Sequence, residues 1–216
     1  MDPQAHTVTV KNLRTSRFEE EEYGVLVLAT GARAVMPPLD GIDLPGVFPL
    51  KEFKDGVDLK TFLDNQKPRK AVIMGGGYIG VEVAESFRRL GMDVAIVEAA
   101  PRLMTVMDAE MSPFVEKALG AGGVEVVTGR KVAALEGDTQ VRAVRLDDGS
   151  AIEAGCVLVS VGVAPNSEIA ASAGIPLGAK QAVRVNEFME TGAEGVYAAG
   201  DCATSRMISF PIEVHT

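Results

Sequence analysis

The most constraining feature of this sequence is a glycine-rich turn at residues 75–80, which follows an apolar, strand-like run at residues 71–74. Gly75, Gly77 and Gly80 form the pattern G-x-G-x-x-G. The first glycine permits a tight turn, the second lets backbone approach a pyrophosphate without a Cβ atom, and the third lets helix and strand pack closely. The phosphates then meet free N–H groups at the positive end of a helix dipole. The pattern predicts a dinucleotide site, with a purely structural glycine turn as the alternative.

The residues after the turn fit the same βαβ unit. They predict a helix with one apolar face, formed by Ile79, Val83, Phe87 and Leu90. Gly91 ends this helix, and a second buried strand at residues 94–97 stops at Glu98, eighteen residues after Gly80. A carboxylate at this place accepts hydrogen bonds from the adenosine ribose. Glu98 is therefore a candidate ribose ligand, and the alternative is a solvated acid at a strand end.

Glu98 also favours one nucleotide over the other. Repulsion between its carboxylate and a 2′-phosphate costs on the order of a few kcal/mol at partly buried distances. The sequence therefore predicts NADH rather than NADPH. Arg102 weakens this prediction, because its side chain stands four residues further on and can swing toward a phosphate.

The following segments extend a parallel sheet. A helix that opens at Asp108, or at Ser112 with Pro113 at its first position, ends near Gly120 and precedes a strand at residues 124–127. Because the connections in this β-α-β-α-β run are short, the strands are predicted to be parallel with right-handed crossovers.

The period then changes to alternation at residues 131–154, with a hairpin turn at residues 147–150. Residues 156–161 form one more buried strand. The expected fold class is α/β, a Rossmann-like parallel sheet with an inserted antiparallel β-meander.

Both ends of the chain carry further strand-like runs. Residues 24–29 and 195–199 are continuous apolar runs suited to buried strands. Like the run at residues 156–161, each ends at a glycine. These glycines are Gly31, Gly162 and Gly200. Since ligands bind at the carboxyl ends of parallel strands, all three endings are candidate ligand sites.

Three remaining segments have simpler interpretations. The acidic residues 19–22 are predicted to be a solvated turn between two strands. Residues 37–46 are rich in proline and glycine and are predicted to be a linker between two structural units, followed by a short helix at residues 51–65.

Composition excludes several classes of function. A net charge of −9 and a pI near 4.8 disfavour nucleic acid or an anionic membrane as partner. No apolar stretch approaches the roughly 20 residues that span a bilayer, and no signal peptide is recognisable, so a cytoplasmic protein is expected. Cys156 and Cys202 form no redox or zinc motif, and with only His6 and His215 we expect no metal site.

Four segments together resemble the pyridine nucleotide-disulfide oxidoreductase superfamily. The branch most similar to this sequence contains NADH oxidases, NADH peroxidases and coenzyme A disulfide reductases. The matching segments are Ala29-Thr30-Gly31, the glycine loop at residues 77–82, the Gly-Val-Ala-Pro-Asn run at residues 162–166, and the Gly-Asp signature at residues 198–202.

The resemblance implies two domains and two cofactors. Residues 35–168 would form the NAD(H)-binding Rossmann-like domain, whereas residues 1–34 and 169–216 would belong to an incomplete second Rossmann-like domain that binds FAD. In the family pattern, Tyr78 lies over the nicotinamide face of the flavin and moves aside when nucleotide arrives, and Glu82 lies beside the nicotinamide. The alternatives are a packed aromatic residue and a surface acid.

The same pattern assigns the remaining site residues. The NAD(H) set would be Gly75, Gly77, Tyr78, Ile79, Gly80, Glu82, Glu98, Arg102 and Gly162. The FAD set would be Ala29, Thr30, Gly31, Gly200 and Asp201. Asp201 would accept hydrogen bonds from the ribityl chain, helped by backbone N–H groups at the start of a following helix.

The sequence also departs from the family pattern. No glycine motif for FAD precedes Ala29, the redox cysteine is expected upstream of Met1, and the C-terminal dimer domain is lacking. The chain is therefore expected to be a piece of a longer, homodimeric protein. It should contain no catalytic residue of its own, bind NADH, hold FAD weakly or not at all, and turn over nothing. Cys156 and Cys202 are expected to be small core residues.

The expected function of the whole protein is that of an FAD-dependent NADH oxidoreductase acting on a disulfide, persulfide, peroxide or oxygen, with hydride passing from NADH to flavin. One alternative keeps the fold but changes the acceptor, as in ferredoxin, rubredoxin or nitrite reductase flavoproteins. Another is a stand-alone nucleotide-binding module. A simple dehydrogenase lacks a recognisable Tyr-Lys or His-Asp pair.

Overall fold

The computed structural model describes residues 1–205, and these form two compact units. The first unit consists of Met1–Arg33 and Val163–Thr216, of which the structure describes the residues up to 205. The second unit is the continuous segment Ala34–Gly162. His215 lies outside the described residues.

Strands dominate the described residues. In chain order they are β1 (Thr7–Lys11), β2 (Phe18–Glu22), β3 (Leu26–Leu28), β4 (Ala32–Ala34), β5 (Val47–Pro49), β6 (Lys70–Met74), β7 (Asp93–Glu98), β8 (Val124–Thr128), β9 (Val132–Glu136), β10 (Ala143–Leu146), β11 (Ala151–Glu153), β12 (Cys156–Val159), β13 (Val163–Pro165), β14 (Val183–Val185), β15 (Val196–Ala198) and β16 (Ala203–Ser205). The α-helices are α1 (Phe53–Gln66), α2 (Tyr78–Arg89), α3 (Ser112–Ala121) and α4 (Glu168–Ser172). Short 3₁₀ turns lie at Ala109–Met111, Ala179–Gln181 and Gly200–Cys202.

The second unit is built on a five-stranded parallel sheet in the order β5-β12-β6-β7-β8. Strand β6 lies at its centre, with Val72 opposite Val157 on one side and Ala95 on the other. Because successive side chains of a strand point to opposite faces, Val72 and Ile73 contribute to two different cores. Both side chains are completely buried.

Helices cover one face of this sheet and the meander covers the other. On the helix face, Ile73 belongs to a cluster with Leu63 of α1, Phe87 of α2 and Leu119 of α3. On the other face, Val72 belongs to a cluster that includes Leu135, Val144 and Leu146 of the antiparallel sheet β9-β10-β11. The predicted fold class, a Rossmann-like parallel sheet with an inserted antiparallel meander, is confirmed.

The first unit consists of short two-stranded sheets around a small core. Strands β3 and β15 pair in parallel, as do β14 and β16, whereas β1 and β2 form an antiparallel hairpin. The core of this unit is formed by Leu28, Ala170, Ile175, Val183, Val185, Val196 and Ala198. The parallel pairing of β3 with β15 brings together two strand ends that are far apart in sequence.

The acidic run at residues 19–22 is a strand and not the predicted solvated turn. These residues form most of β2, which pairs with β1 so that Val8 lies opposite Glu21. The turn lies earlier, where Asn12 Oδ1 accepts hydrogen bonds from the backbone of Arg14 and Thr15. All five residues of β2 are exposed, so water solvates the carboxylates while the backbone still pairs.

Two other predictions are corrected. The buried face of α2 is centred on Gly80, Ala84 and Phe87, whereas Ile79 and Leu90 are exposed. The close contact between this helix and the sheet turns the face with the small residues inward.

Residues 37–46 are part of the second unit and do not form a linker, since their leucine and isoleucine side chains pack against the meander core.

The start of α3 combines the two predicted openings. A 3₁₀ turn follows Asp108 and runs directly into a helix that begins at Ser112, with Pro113 in its first turn.

Val72, on the meander face of β6, allows a test of this core. Replacing Val72 by alanine removes two methyl groups from a fully buried site, so we expect the free energy of unfolding to fall by about 2 kcal/mol or more. Val57→Ala is the matched control, because Val57 on α1 is 45% exposed and its loss should change stability by less than about 0.5 kcal/mol. Chemical denaturation followed by circular dichroism measures both values. Equal losses in the two variants would contradict the assigned core.

Candidate functional site

The carboxyl edge of the parallel sheet gathers the end of β6, the end of β7 and the residues after β12. Gly75 follows β6 and donates its N–H to Val97 O at 2.8 Å, while Ser160 donates to Met74 O at 2.8 Å. These bonds continue the sheet pairing one residue beyond the regular strands. The chain then leaves the sheet at Gly75, whose φ of +103° lies in a region that favours glycine.

Two glycines of the turn are required by the backbone of the protein itself, and a third lies in tight contact with a side chain. A Cβ atom on Gly75 would lie 2.3 Å from Ser160 O, and one on Gly80 would lie 2.1 Å from Gly75 O. A Cβ atom on Gly76 would lie 2.2 Å from the side chain of Leu103. Backbone oxygens therefore exclude a larger residue at positions 75 and 80, whereas at position 76 the buried Leu103 side chain would have to move to admit one.

Gly77 differs from the other three. A Cβ atom there would meet nothing within 4 Å, and the backbone of Gly77 has φ −82° and ψ −171°, which any residue adopts. Neither packing nor conformation explains a glycine at this position. The space that a side chain would fill lies at the amino-terminal end of α2, where Gly77 is the N-cap residue.

Helix α2 directs unpaired amides into that space. Its first intrahelical hydrogen bond is donated by Val81 N–H to Gly77 O at 3.0 Å. The amides that precede Val81 in the helix have no intrahelical acceptor, as at every helix start, and they carry the positive end of the helix dipole. Together with the open position at Gly77, this is a cradle suited to an anion.

Glu98 is tied to the same turn. Its Oε2 accepts a hydrogen bond from Gly76 N–H at 2.7 Å, and its Oε1 accepts one from Ala100 N–H at 2.7 Å. The carboxylate therefore bridges the glycine turn and the segment after β7. This contact was not predicted, because the sequence indicated only where the acid stands and not which backbone groups it meets.

The guanidinium of Arg102 is bound within its own loop. Its two terminal nitrogens donate to the carbonyl oxygens of Met104, Thr105 and Met107 and to Ser112 Oγ, at 3.1–3.3 Å. All four acceptors are neutral. The structure thus gives this side chain a role in holding a loop, which differs from the phosphate contact that the sequence suggested.

The other predicted nucleotide residues lie around the same edge. Tyr78 and Glu82 are one helical turn apart on α2, and the Tyr78 side chain is 54% exposed. Ile79, between them, is partly exposed as well. Gly162 lies three residues after the end of β12 and has φ +114°, so its backbone conformation accounts for the glycine.

In the first unit, the predicted FAD residues lie at the ends of two paired strands. Ala29, Thr30 and Gly31 follow β3, and Gly200 and Asp201 follow β15, its parallel neighbour. Cys202 is buried between them and donates its thiol hydrogen to Leu28 O and Ala199 O. Among the described residues, which end at 205, the expected helix does not begin at Asp201: a single 3₁₀ turn is followed directly by strand β16.

Asn166 is a structural residue of this unit that sequence reasoning missed. Its side-chain amide donates to Thr30 O at 2.9 Å, its backbone N–H donates to Gly31 O at 2.9 Å, and its Oδ1 accepts from Arg33. Thr30 Oγ1 in turn donates to Asn166 O. Asn166 therefore fixes the turn at Thr30 and Gly31. Its place in the Gly-Val-Ala-Pro-Asn run was the available signal.

The cysteines and histidines offer no further chemistry among residues 1–205. Both thiols are free and buried, and burial raises the pKa of the Cys156 thiol from its ordinary value to about 12. His6 packs against the Tyr23 ring, with centroids 5.4 Å apart. Within the described part of the chain, no group of His, Cys, Asp and Glu is arranged to hold a metal ion. The helices described there are too short or too polar to cross a membrane.

Thiol accessibility tests the burial of both cysteines. A thiol reacts as its thiolate. Neither side chain has exposed surface, which keeps the reagent out, and for Cys156 the raised pKa also suppresses the thiolate form. At pH 8 we expect no reaction of the folded protein with a disulfide reagent such as Ellman's reagent over minutes, and reaction of both cysteines after denaturation in guanidinium. A fast reaction of either cysteine in the folded protein would contradict this assignment.

The amino-acid sequence matches the family described as "Pyridine nucleotide-disulphide oxidoreductase" over residues 1–213. It is 37% identical over 184 residues to an NADH oxidase of Methanocaldococcus jannaschii, covering 85% of this chain and 41% of that protein. It is 34% identical over 202 residues to a nitrite reductase [NAD(P)H] of Bacillus subtilis, covering 93% of this chain and 24% of that protein.

A solved structure with a similar fold is that of an NAD-dependent persulfide reductase from A. fulgidus. The TM-score is 0.89 and the identity 34%, and the match covers 94% of this chain and 37% of the solved one. The chain spans less than half the length of each of these three relatives.

Proposed function

The chain belongs to the pyridine nucleotide-disulphide oxidoreductase family, and from this premise we propose that its second unit binds NADH and presents it to a flavin in the whole protein. The relatives described above are named as an oxidase, a nitrite reductase and a persulfide reductase, and all three names include a nicotinamide nucleotide. We propose residues 35–168 as the NAD(H) domain and residues 1–34 and 169–216 as the FAD domain. The second unit of the structure ends at Gly162, so residues 163–168 of this proposal lie in the first unit.

The single observation that carries this proposal is the unexplained glycine at position 77. Backbone contacts account for the glycines at 75 and 80, and a tight contact with Leu103 lies at 76, but at 77 a side chain would project into empty space. A ligand that lies against this backbone accounts for the absence of a Cβ atom. A pyrophosphate fits the chemistry, because unpaired amides and the helix dipole at the start of α2 favour negative charge.

The other proposed nucleotide-binding residues would contact other parts of the ligand. Glu98, held by Gly76 N–H and Ala100 N–H, retains acceptor capacity on both carboxylate oxygens for the hydroxyls of a ribose. Tyr78 is half exposed and can change its side-chain position without disturbing a core. Glu82, one turn later on the same helix, would lie toward the nicotinamide end of the ligand, as in the family pattern.

Residues of the first unit are proposed to contact FAD. Ala29, Thr30 and Gly31 on one strand end, and Gly200 and Asp201 on the neighbouring one, form a carboxyl edge of the kind at which α/β proteins bind ligands. Gly31 and Gly200 have φ values of +66° and +80°, so conformation alone explains these glycines. Support for FAD therefore comes from family membership and from the strand ends, and not from an empty cradle.

When both cofactors are bound, the nicotinamide supplies a hydride to the flavin. The protein's own contribution is to orient the nucleotide by its phosphates and ribose and to exclude water from the nicotinamide end. NADH is proposed over NADPH, because the Glu98 carboxylate would repel a 2′-phosphate. The guanidinium of Arg102 already donates hydrogen bonds to carbonyl groups of its own loop. These bonds compete with binding of a 2′-phosphate and so support the same choice.

The acceptor of the whole protein is proposed to be a disulfide, persulfide or oxygen. The similarity to a nitrite reductase favours a second candidate, transfer to a further redox centre. A cytoplasmic location and a homodimeric whole protein stay predictions.

Gly77→Val tests the phosphate cradle. Its side chain fills the open position, so we expect NADH affinity to fall at least about 100-fold, or ~2.7 kcal/mol, with a loss of at most about 1 kcal/mol in stability from the changed N-cap. Isothermal titration with NADH and thermal unfolding measure both quantities.

Two controls accompany this variant. Gly120→Ala also adds a side chain into open space, but on α3, and should leave NADH binding unchanged. Gly80→Ala should instead lower stability sharply, because its Cβ atom meets Gly75 O. Undiminished NADH binding by the valine variant would refute the proposed site.

Glu98→Gln tests the ribose contact and the choice of nucleotide. Loss of the charge removes hydrogen bonds worth about 1.5 kcal/mol or more, so we expect about tenfold weaker NADH binding. Removal of the repulsion should narrow the affinity ratio between NADH and NADPH. Titration of both nucleotides into the wild type and the variant measures this ratio. Glu85→Gln, on the exposed side of α2, is the control and should alter neither affinity. An unchanged ratio would count against Glu98 as the selecting residue.

A further inference from the structure

We propose that Arg102 is a positioning residue of the dinucleotide site, which it shapes by clamping the loop at residues 103–107 against the glycine turn. This inference rests on the proposed function of that turn in binding NADH. It assigns Arg102 an effect on nucleotide affinity without any contact to the nucleotide.

The clamp is formed by one guanidinium and one hydroxyl. Arg102 donates to three carbonyl oxygens of the loop and to Ser112 Oγ. Ser112 Oγ, which is buried, donates in turn to Leu103 O. Arg102 and Ser112 thus bind carbonyl groups along the whole loop, and Ser112 attaches the loop to the first residue of α3.

The clamped loop meets the glycine turn at Gly76. Met104 N–H donates to Gly76 O at 2.8 Å, and the Leu103 side chain, which is completely buried, occupies the place of a Cβ atom on Gly76. The N–H of Gly76 is bound by Glu98. Both polar backbone groups of Gly76 are therefore held, the N–H by the last residue of β7 and the carbonyl by the loop that follows, directly beside the open position at Gly77.

Met104 shows that the loop conformation needs outside support. Its φ of +50° lies in the left-handed region, which residues other than glycine and asparagine seldom adopt. Such a conformation persists only where the surrounding contacts fix it. The carbonyl of Met104 is one of the groups that Arg102 binds, and Met107 N–H donates to the same oxygen at 2.9 Å.

The arrangement also defines what Arg102 does not do. Its donors are directed to neutral loop acceptors, so a 2′-phosphate would have to compete with four existing hydrogen bonds. A positioning residue should affect NADH and NADPH by the same factor. A phosphate-binding residue would affect NADPH more strongly, which gives a clear distinction between the two roles.

Arg88 is a matched control within the same unit. Its guanidinium also binds backbone carbonyls, Gly122 O at 3.0 Å and Met92 O at 2.6 Å, but at the end of α2 remote from the glycine turn. Arg88 in addition pairs with Asp93 Oδ1 at 3.6 Å. Loss of either arginine therefore removes several polar contacts that hold a loop. Only loss of Arg102 should change the dinucleotide site.

The experiment compares Arg102→Gln, Ser112→Ala and Arg88→Gln with the wild type. We expect Arg102→Gln to weaken NADH and NADPH binding by the same factor, about tenfold, and Ser112→Ala to weaken both by about threefold. Arg88→Gln should lower the melting temperature and leave both dissociation constants unchanged. Amide hydrogen exchange at Gly76 and Met104 should accelerate in the first two variants and not in the third.

Three results would overturn the inference. The first is unchanged NADH affinity and unchanged exchange at Gly76 and Met104 in Arg102→Gln. The second is a much larger loss for NADPH than for NADH, which would make Arg102 a phosphate ligand. The third is an equal effect of Arg88→Gln on affinity. If Arg102→Gln does not fold, Ser112→Ala decides by the same measurements. Failure of the wild type to bind NADH would instead refute the proposed function, while amide exchange still tests the clamp.

Discussion

The site depends on one close approach, that of Gly80 to Gly75 O. A Cβ atom at position 80 would lie 2.1 Å from this oxygen, so only glycine lets α2 begin directly at the end of β6. If the helix were pushed outward by a side chain, its first amides would no longer lie over the carboxyl edge of the sheet. The anion-binding end of the helix and the ends of the strands meet because two backbones touch here.

Glu98 adds a negative charge to an otherwise positive edge. Its carboxylate accepts hydrogen bonds from two backbone N–H groups. These donors stabilise the negative charge but do not remove it. The helix start therefore favours phosphates, while the end of β7 favours hydroxyl donors and disfavours a further phosphate. Gly76 precedes the start of α2, and its N–H and carbonyl are bound by Glu98 and by Met104 N–H. These contacts fix the spacing between the start of α2 and the end of β7.

Much of this arrangement was predictable from the sequence, because glycine spacing and buried strands have direct structural causes. The positions of Gly75, Gly77, Gly80 and Glu98 at one sheet edge followed from such patterns. The strand at residues 19–22 did not, since four glutamates have little tendency to form strands and only their pairing with β1 orders them. The roles of Arg102 and Asn166 were equally hidden, because their partners are backbone oxygens, which leave no trace in the sequence.

Arg88 and Arg102, both in the second unit, show why one kind of interaction has different consequences at the two edges of a sheet. Arg88 and Arg102 each exchange water for several carbonyl groups, and such charge-assisted bonds stabilise the loops that they join. At the edge where strands begin, a displaced loop alters stability alone. At the carboxyl edge the loop of Arg102 meets Gly76, so a displacement of the same size moves an amide and a carboxylate toward or away from the ligand. The hydrogen bonds of Arg102 only hold a loop in place. They affect nucleotide binding because this loop contacts the glycine turn.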